Sequence, residues 1–209
     1  MLAGLQPSPP DSFLRQNRAI DCAYLIVHGL GGSGPDHWQT WLAGALRERG
    51  LAVSYPDLPA PDVPSLGPWC EALEAKLGGP ELPVVLCHSL GAVTWLHLAA
   101  RLRRPLARRV LLVAPPSAGS RVREIAGFVP PPLDPEALAA AAPATRLVCA
   151  PSGDPYCPEG AGGLYGEPLG IPVDALPGAG HINTDAGYGP WPAVEAWCLD
   201  GSAVPIAPR

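Results

Sequence analysis

A serine stands in Cys87-His88-Ser89-Leu90-Gly91, where an apolar run at residues 83–87 passes directly into an amphipathic segment at 92–102. A serine hydroxyl is a poor nucleophile until a base takes its proton. Five histidines compete for that task. His28 and His37 precede the serine, His88 adjoins it with its side chain directed elsewhere, and His97 lies two turns along the following helix. His181 follows the last strand-like run in Gly178-Ala179-Gly180-His181, a loop from which an imidazole can reach over a sheet edge. An acid to orient that imidazole is available in Ser152-Gly153-Asp154-Pro155, a turn at the end of another apolar run. Asp154 would accept a hydrogen bond from the His181 ring and stabilise the imidazolium. The competing reading of Asp154 is a turn-forming residue whose carboxylate caps its own loop. Ser89, His181 and Asp154 together would carry out acyl transfer.

The Ser89 segment resembles the G-x-S-x-G nucleophile elbow of α/β-hydrolases, whose chain order is Ser, then Asp or Glu, then His. Gly91 fits that pattern, and Cys87 stands where the first glycine is usual, which predicts a slightly more crowded turn. Two backbone N–H groups are needed for the developing oxyanion, one from Leu90 and one from the loop His28-Gly29-Leu30-Gly31-Gly32-Ser33-Gly34, where Leu30 is the candidate. His28, Trp38 and His88 are candidates for the wall of the substrate pocket. The same loop spells Gly29-x-Gly31-x-x-Gly34, a dinucleotide fingerprint, and a nucleotide-dependent oxidoreductase is the rival it raises. Pro35 and Asp36 then place the helix start after the glycines, with a carboxylate where pyrophosphate would sit, and Asp57 comes late for the ribose acid. A third reading is a binding or regulatory protein that keeps the fold without useful turnover.

The elements that must position these residues alternate. Strands are expected at residues 23–27, 51–55, 83–87, 109–113, 146–150 and 171–176. Helices are expected from an Asp36 cap to Gly50, from a Ser65 cap to Gly78-Gly79, and over 92–102 and 191–199. Nearly continuous apolar strands separated by helices predict a three-layer α/β fold: a mostly parallel six-stranded sheet with helices on both faces. With the order 2-1-3-4-5, His28-Gly29 and Ser89 meet at the topological switch point, where ligands bind. Residues 117–143 offer only two short helices, 121–128 and 135–142, so no lid domain is expected. The domain is read as 21–200, with a proline-rich, loosely held arm at 1–20 and a tail at 201–209.

Length and composition agree with one domain: 209 residues, 47% hydrophobic, with 24 glycines and 29 prolines that punctuate loops. A net charge of −5 argues against a nucleic-acid or anionic-membrane surface. No apolar run is long enough to span a bilayer, and no basic leader precedes a hydrophobic stretch. The six cysteines show no metal-ligand spacing, so neither a metal nor another cofactor is expected, and a reducing cytoplasm is the expected location. The tryptophans recur at helical spacings and read as core. The arginines at 101–109 read as a solvated helix end, and nothing names a protein partner.

Several segments together carry a more specific resemblance: Val27-His28-Gly29, Asp36-His37-Trp38-Gln39-Thr40-Trp41, His88-Ser89-Leu90-Gly91, Gly153-Asp154-Pro155-Tyr156, Gly180-His181-Ile182-Asn183 and Gly187-Tyr188-Gly189-Pro190-Trp191-Pro192. Over roughly residues 22–200 the chain resembles the small serine hydrolases similar to retinoblastoma-binding protein 9 and the bacterial YdeN-like proteins. That resemblance implies a lidless α/β-hydrolase with Ser89, Asp154 and His181 as its triad, acting on small-molecule esters or amides.

Overall fold

The computed structural model describes residues 23–201 and 205–209. The expected arm at 1–20 lies outside the described residues. Six strands form one sheet: β1 (Tyr24–Val27), β2 (Val53–Ser54), β3 (Val84–His88), β4 (Arg109–Val113), β5 (Thr145–Cys149) and β6 (Val173–Ala175). Their order is β2-β1-β3-β4-β5-β6. Every pairing is parallel, so the sheet is wholly rather than mostly parallel. Between the strands run α1 (Trp38–Glu48), α2 (Leu66–Glu74), α3 (Leu90–Leu102), α4 (Pro135–Ala141) and the short α5 (Glu167–Leu169), and α6 (Pro192–Asp200) follows β6.

The period-two geometry of the strands divides the core into two layers. Leu25 and Val27 of β1 face α2, α3 and α4, while Tyr24 and Ile26 face α1 and α6. Trp69 and Trp95 fill the first layer, Trp38 and Trp191 the second, and none of these four rings is exposed. The described end of the chain returns to the second layer. Ile206 is buried there, and Trp191 Nε1 donates to the Ala207 carbonyl at 2.9 Å.

Local details depart from expectation, and α2 ends at Glu74, short of Gly78-Gly79. The cap of α1 is His37, whose Nδ1 accepts the Gln39 N–H, and not the exposed Asp36 one residue earlier. β2 shrinks to two residues because it lies at the sheet edge with a partner on one side only and is followed by Pro56. Between β5 and β6 a π-turn (Gly162–Gly166) leads into α5, and Gly166 packs where a Cβ would come within 2.3 Å of Val173. Residues 117–143 hold only a 3₁₀ turn (Arg123–Ile125) and α4, and no lid layer covers the sheet among the described residues.

Candidate active site

Parallel sheets bind ligands at the carboxyl ends of their strands, where the chain order reverses. Here the reversal lies between β1 and β3, and Ser89 stands at that end of β3. It occupies the corner between β3 and α3 with φ 52° and ψ −122°. Such a backbone conformation is strained for a side-chain-bearing residue and persists only when its surroundings hold it. One restraint is the Ser89 N–H, which donates to the Val113 carbonyl of β4 at 2.8 Å. Two glycines supply the space. A Cβ on Gly91 would lie 2.6 Å from the His28 carbonyl oxygen, and one on Gly29 would lie 2.8 Å from Ser89 Cβ. The Cys87 side chain is wholly buried in the layer formed with Leu25 and Val27, and burial pushes its thiol pKa up.

Gly91→Ala therefore gives a result of unusual sign. Glycine-to-alanine exchange in a helix ordinarily stabilises by about 0.5–1 kcal/mol. Here the added methyl pushes the end of β1 away from α3, and a loss of roughly 1–3 kcal/mol is expected. Urea denaturation measures it, and an unchanged or raised midpoint would contradict the close packing described.

The loop after β6 carries His181, which is 6% exposed. Its Nε2 lies 2.8 Å from Ser89 Oγ. Its Nδ1 lies 2.9 and 3.0 Å from the two oxygens of Asp154. In the neutral ring the Nδ1–H donates to the carboxylate, and Nε2 accepts the Ser89 hydroxyl proton. Asp154 is 3% exposed, and its Oδ1 also accepts the Tyr156 N–H at 2.8 Å. The turn-forming and histidine-orienting roles weighed for Asp154 are thus held together by one carboxylate.

The structure brings Ser89, His181 and Asp154 into one hydrogen-bonded chain, and Leu30 and Leu90 line the cleft beside it. Neither the Leu30 nor the Leu90 N–H donates to a backbone carbonyl among the described residues. Two of the expected wall residues do other work. His28 is absent from the cleft lining because its Nδ1–H donates to the Gly29 carbonyl and its Nε2 accepts the Leu58 N–H, tying the end of β1 to the segment after β2. Trp38 is fully buried, and its indole N–H donates to the Ile182 carbonyl at 2.9 Å. His88 does reach the cleft, but its Nε2–H is committed to the His181 carbonyl at 2.9 Å. Trp38 and His88 thus pin two successive carbonyls of the loop that presents His181.

The sequence does not single out Gln39 and Tyr156, and it offers His37 only as a rival base. Gln39 is unexposed: its Nε2 donates to the Val27 carbonyl and its Oε1 accepts the Ser33 hydroxyl, fastening the glycine loop to β1. The Tyr156 ring, 46% exposed, lies 4.4 Å from the His181 ring. His37 lines the cleft and stacks edge-on against His88 at 4.9 Å. The buried position of His37 and the nearby His181 lower its pKa to about 4. The only sequence signal for these residues was their place in segments quoted above for the resemblance.

The cleft holds about 190 Å³. Leu30, Val122 and Ile125 form apolar wall, while Ser33, His37, Asn183 and Thr184 are polar. A larger hollow of about 400 Å³, around Arg109, Thr145 and Ile171, lies toward the amino ends of β4 and β5, away from Ser89. Among the described residues no group of His, Cys, Asp and Glu is arranged to hold a metal ion, and no helix is long and apolar enough to cross a membrane.

The family described as Serine hydrolase matches residues 24–199. The chain belongs to the serine hydrolase family. No curated protein matches this serine hydrolase. Among solved structures, it is similar to the ydeN gene product of B. subtilis, with 22% identity, TM-score 0.72 and coverage of 83% of this chain and 94% of that one. A protein described as a YdeN-like hydrolase from Pectobacterium atrosepticum also has 22% identity, with TM-score 0.68 and coverage of 85% and 89%. Est1E from Butyrivibrio proteoclasticus shares 15% identity at TM-score 0.60, over 87% and 88% of the two chains. These neighbours share its fold, a parallel sheet covered by helices on both faces.

Proposed function

We propose that this hydrolase cleaves small carboxylic esters, and amides as slower substrates, through an acyl-enzyme on Ser89. The observation that carries the reading is the unbroken chain Asp154–His181–Ser89 at a strained corner beside the cleft. Ser89 Oγ attacks the acyl carbon while its proton passes to His181 Nε2. Asp154 keeps the Nδ1–H directed away from Ser89 and stabilises the imidazolium. The Leu30 and Leu90 N–H groups receive the oxyanion, a contribution of roughly 3–4 kcal/mol for each donor. The carbon–oxygen bond to the leaving group then breaks, and the leaving oxygen takes the proton from Nε2. A water molecule, deprotonated by the same nitrogen, releases the acid and restores the Ser89 hydroxyl.

The cleft volume lies below the roughly 300–1,000 Å³ usual for sites that enclose drug-sized ligands, which favours short acyl and alcohol parts. We place the protein in a reducing cytoplasm, consistent with five buried free thiols at Cys70, Cys87, Cys149, Cys157 and Cys198.

Labelling with a fluorophosphonate probe tests the mechanism. Wild type should label covalently, Ser89→Ala should not, and His181→Ala should label about 10²–10⁴ times more slowly. A folded wild type that resists the probe would remove the mechanism and leave a binding protein on a hydrolase fold.

A further inference from the structure

We infer that His37 is a specificity-determining residue whose Nε2–H donates to a hydrogen-bond acceptor on the substrate's leaving group. This deepens the mechanism proposed above and rests on it. The cap of α1 sets the tautomer. Nδ1 of His37 accepts the Gln39 N–H at 3.2 Å, so in the neutral ring the proton sits on Nε2. That N–H has no partner among the described residues, although His37 is only 4% exposed and lines the cleft. Among the described residues it is not one of the fully buried atoms left without a partner, so it opens onto the cleft, where a ligand acceptor can take the place of water. The ring stays neutral through ordinary working pH, since burial and the His181 charge oppose protonation, so it offers a fixed dipole rather than a cation.

The side of the cleft follows from the packing. The His37 ring contacts His88 at 4.9 Å, and His88 contacts His181 at 5.1 Å, so three imidazoles form a row ending at the nitrogen that protonates the leaving oxygen. Asn183 and Thr184, which follow His181 in the chain, add polar lining. Val122 and Ile125, from the segment after β4, supply apolar lining suited to the acyl part. The substrate class this describes is a short apolar acyl group joined to an alcohol bearing an oxygen a few bonds from the scissile one.

Butyl acetate and 2-methoxyethyl acetate form a matched pair for the test, because they differ only by a methylene replaced with an ether oxygen. Wild type should prefer the ether in kcat/KM by about three- to tenfold beyond the ratio of their alkaline hydrolysis rates. His37→Asn should bring that preference close to the chemical ratio. Asparagine keeps the cap, so its melting temperature should stay near wild type, whereas His37→Leu should lose roughly 2–4 °C from the missing cap. The inference is overturned if fluorophosphonate labels Ser89 but the ether preference is absent, or persists unchanged in His37→Asn. Failure of that labelling in wild type would instead overturn the underlying mechanism.

Discussion

Asp154→Asn should lower kcat on a small activated ester such as p-nitrophenyl acetate by about 10⁴-fold, with Ser89→Ala as the blank. The size follows from tautomer control rather than from lost charge alone. Asp154 Oδ1 accepts the Tyr156 N–H, and an asparagine in this turn keeps that bond by leaving its carbonyl oxygen in place. Its amide NH₂ then occupies the position of Oδ2, which faces His181 Nδ1 at 2.9 Å in the wild type. Two donors cannot face each other, so Nδ1 must accept and the ring proton moves to Nε2. That nitrogen lies 2.8 Å from Ser89 Oγ and can no longer take its proton. KM and the urea midpoint should change little, because the carboxamide has the same shape and the turn survives. A kcat within tenfold of wild type would show that His181 does not depend on Asp154. Nitrogen NMR of the imidazole supplies a direct check, with the proton on Nδ1 in wild type and on Nε2 in the variant.

Much of this arrangement is readable in sequence because each member occupies an element boundary. An apolar strand run, a short polar turn and an amphipathic helix announce Ser89. Turn chemistry after β5 and glycines after β6 mark Asp154 and His181. The supporting contacts are less legible because they are made by atoms whose direction no periodicity reports. Trp38 looks like an aromatic near a glycine loop, yet its N–H supports a carbonyl 144 positions away. His28 looks like a pocket residue, yet both ring nitrogens are spent on backbone groups. Asp36 is the better cap by residue type, yet His37 takes the cap because its ring can fold back on the Gln39 N–H while Asp36 stays in solvent. The π-turn before α5 has no periodic pattern at all. Its Gly-Gly-Leu-Tyr-Gly run reads as loop, and only the contact with Val173 gives it shape.

Stability should fall as the pH drops below about 6.5, before carboxylate titration begins in earnest. The reason is the cluster of histidines beneath the cleft. His37, His88 and His28 are each buried, and burial lowers the pKa of all three. They also oppose one another's protonation: His181 faces both His37 and His88, and His88 lies against His37. In the unfolded chain each titrates near 6.5. Between that value and about 4, the unfolded state therefore binds protons that the native His37 refuses. Stability is complete above 6.5 and declines with acidification, at up to about 1.4 kcal/mol per pH unit for each such histidine. His37 alone contributes a loss of about 3 kcal/mol by the time its own folded pKa is reached. With total stabilities of roughly 5–15 kcal/mol, that loss is a large share of the whole, and the lowered pKa values of His28 and His88 act in the same direction. Urea midpoints at pH 7.5, 6.5, 5.5 and 4.5 measure the slope, which should be steepest below 6.5 and reduced in the cap-preserving His37→Asn variant. Midpoints that stay level from pH 7.5 to 5 would mean that the cluster is hydrated enough in the native state to protonate as freely as in the unfolded chain.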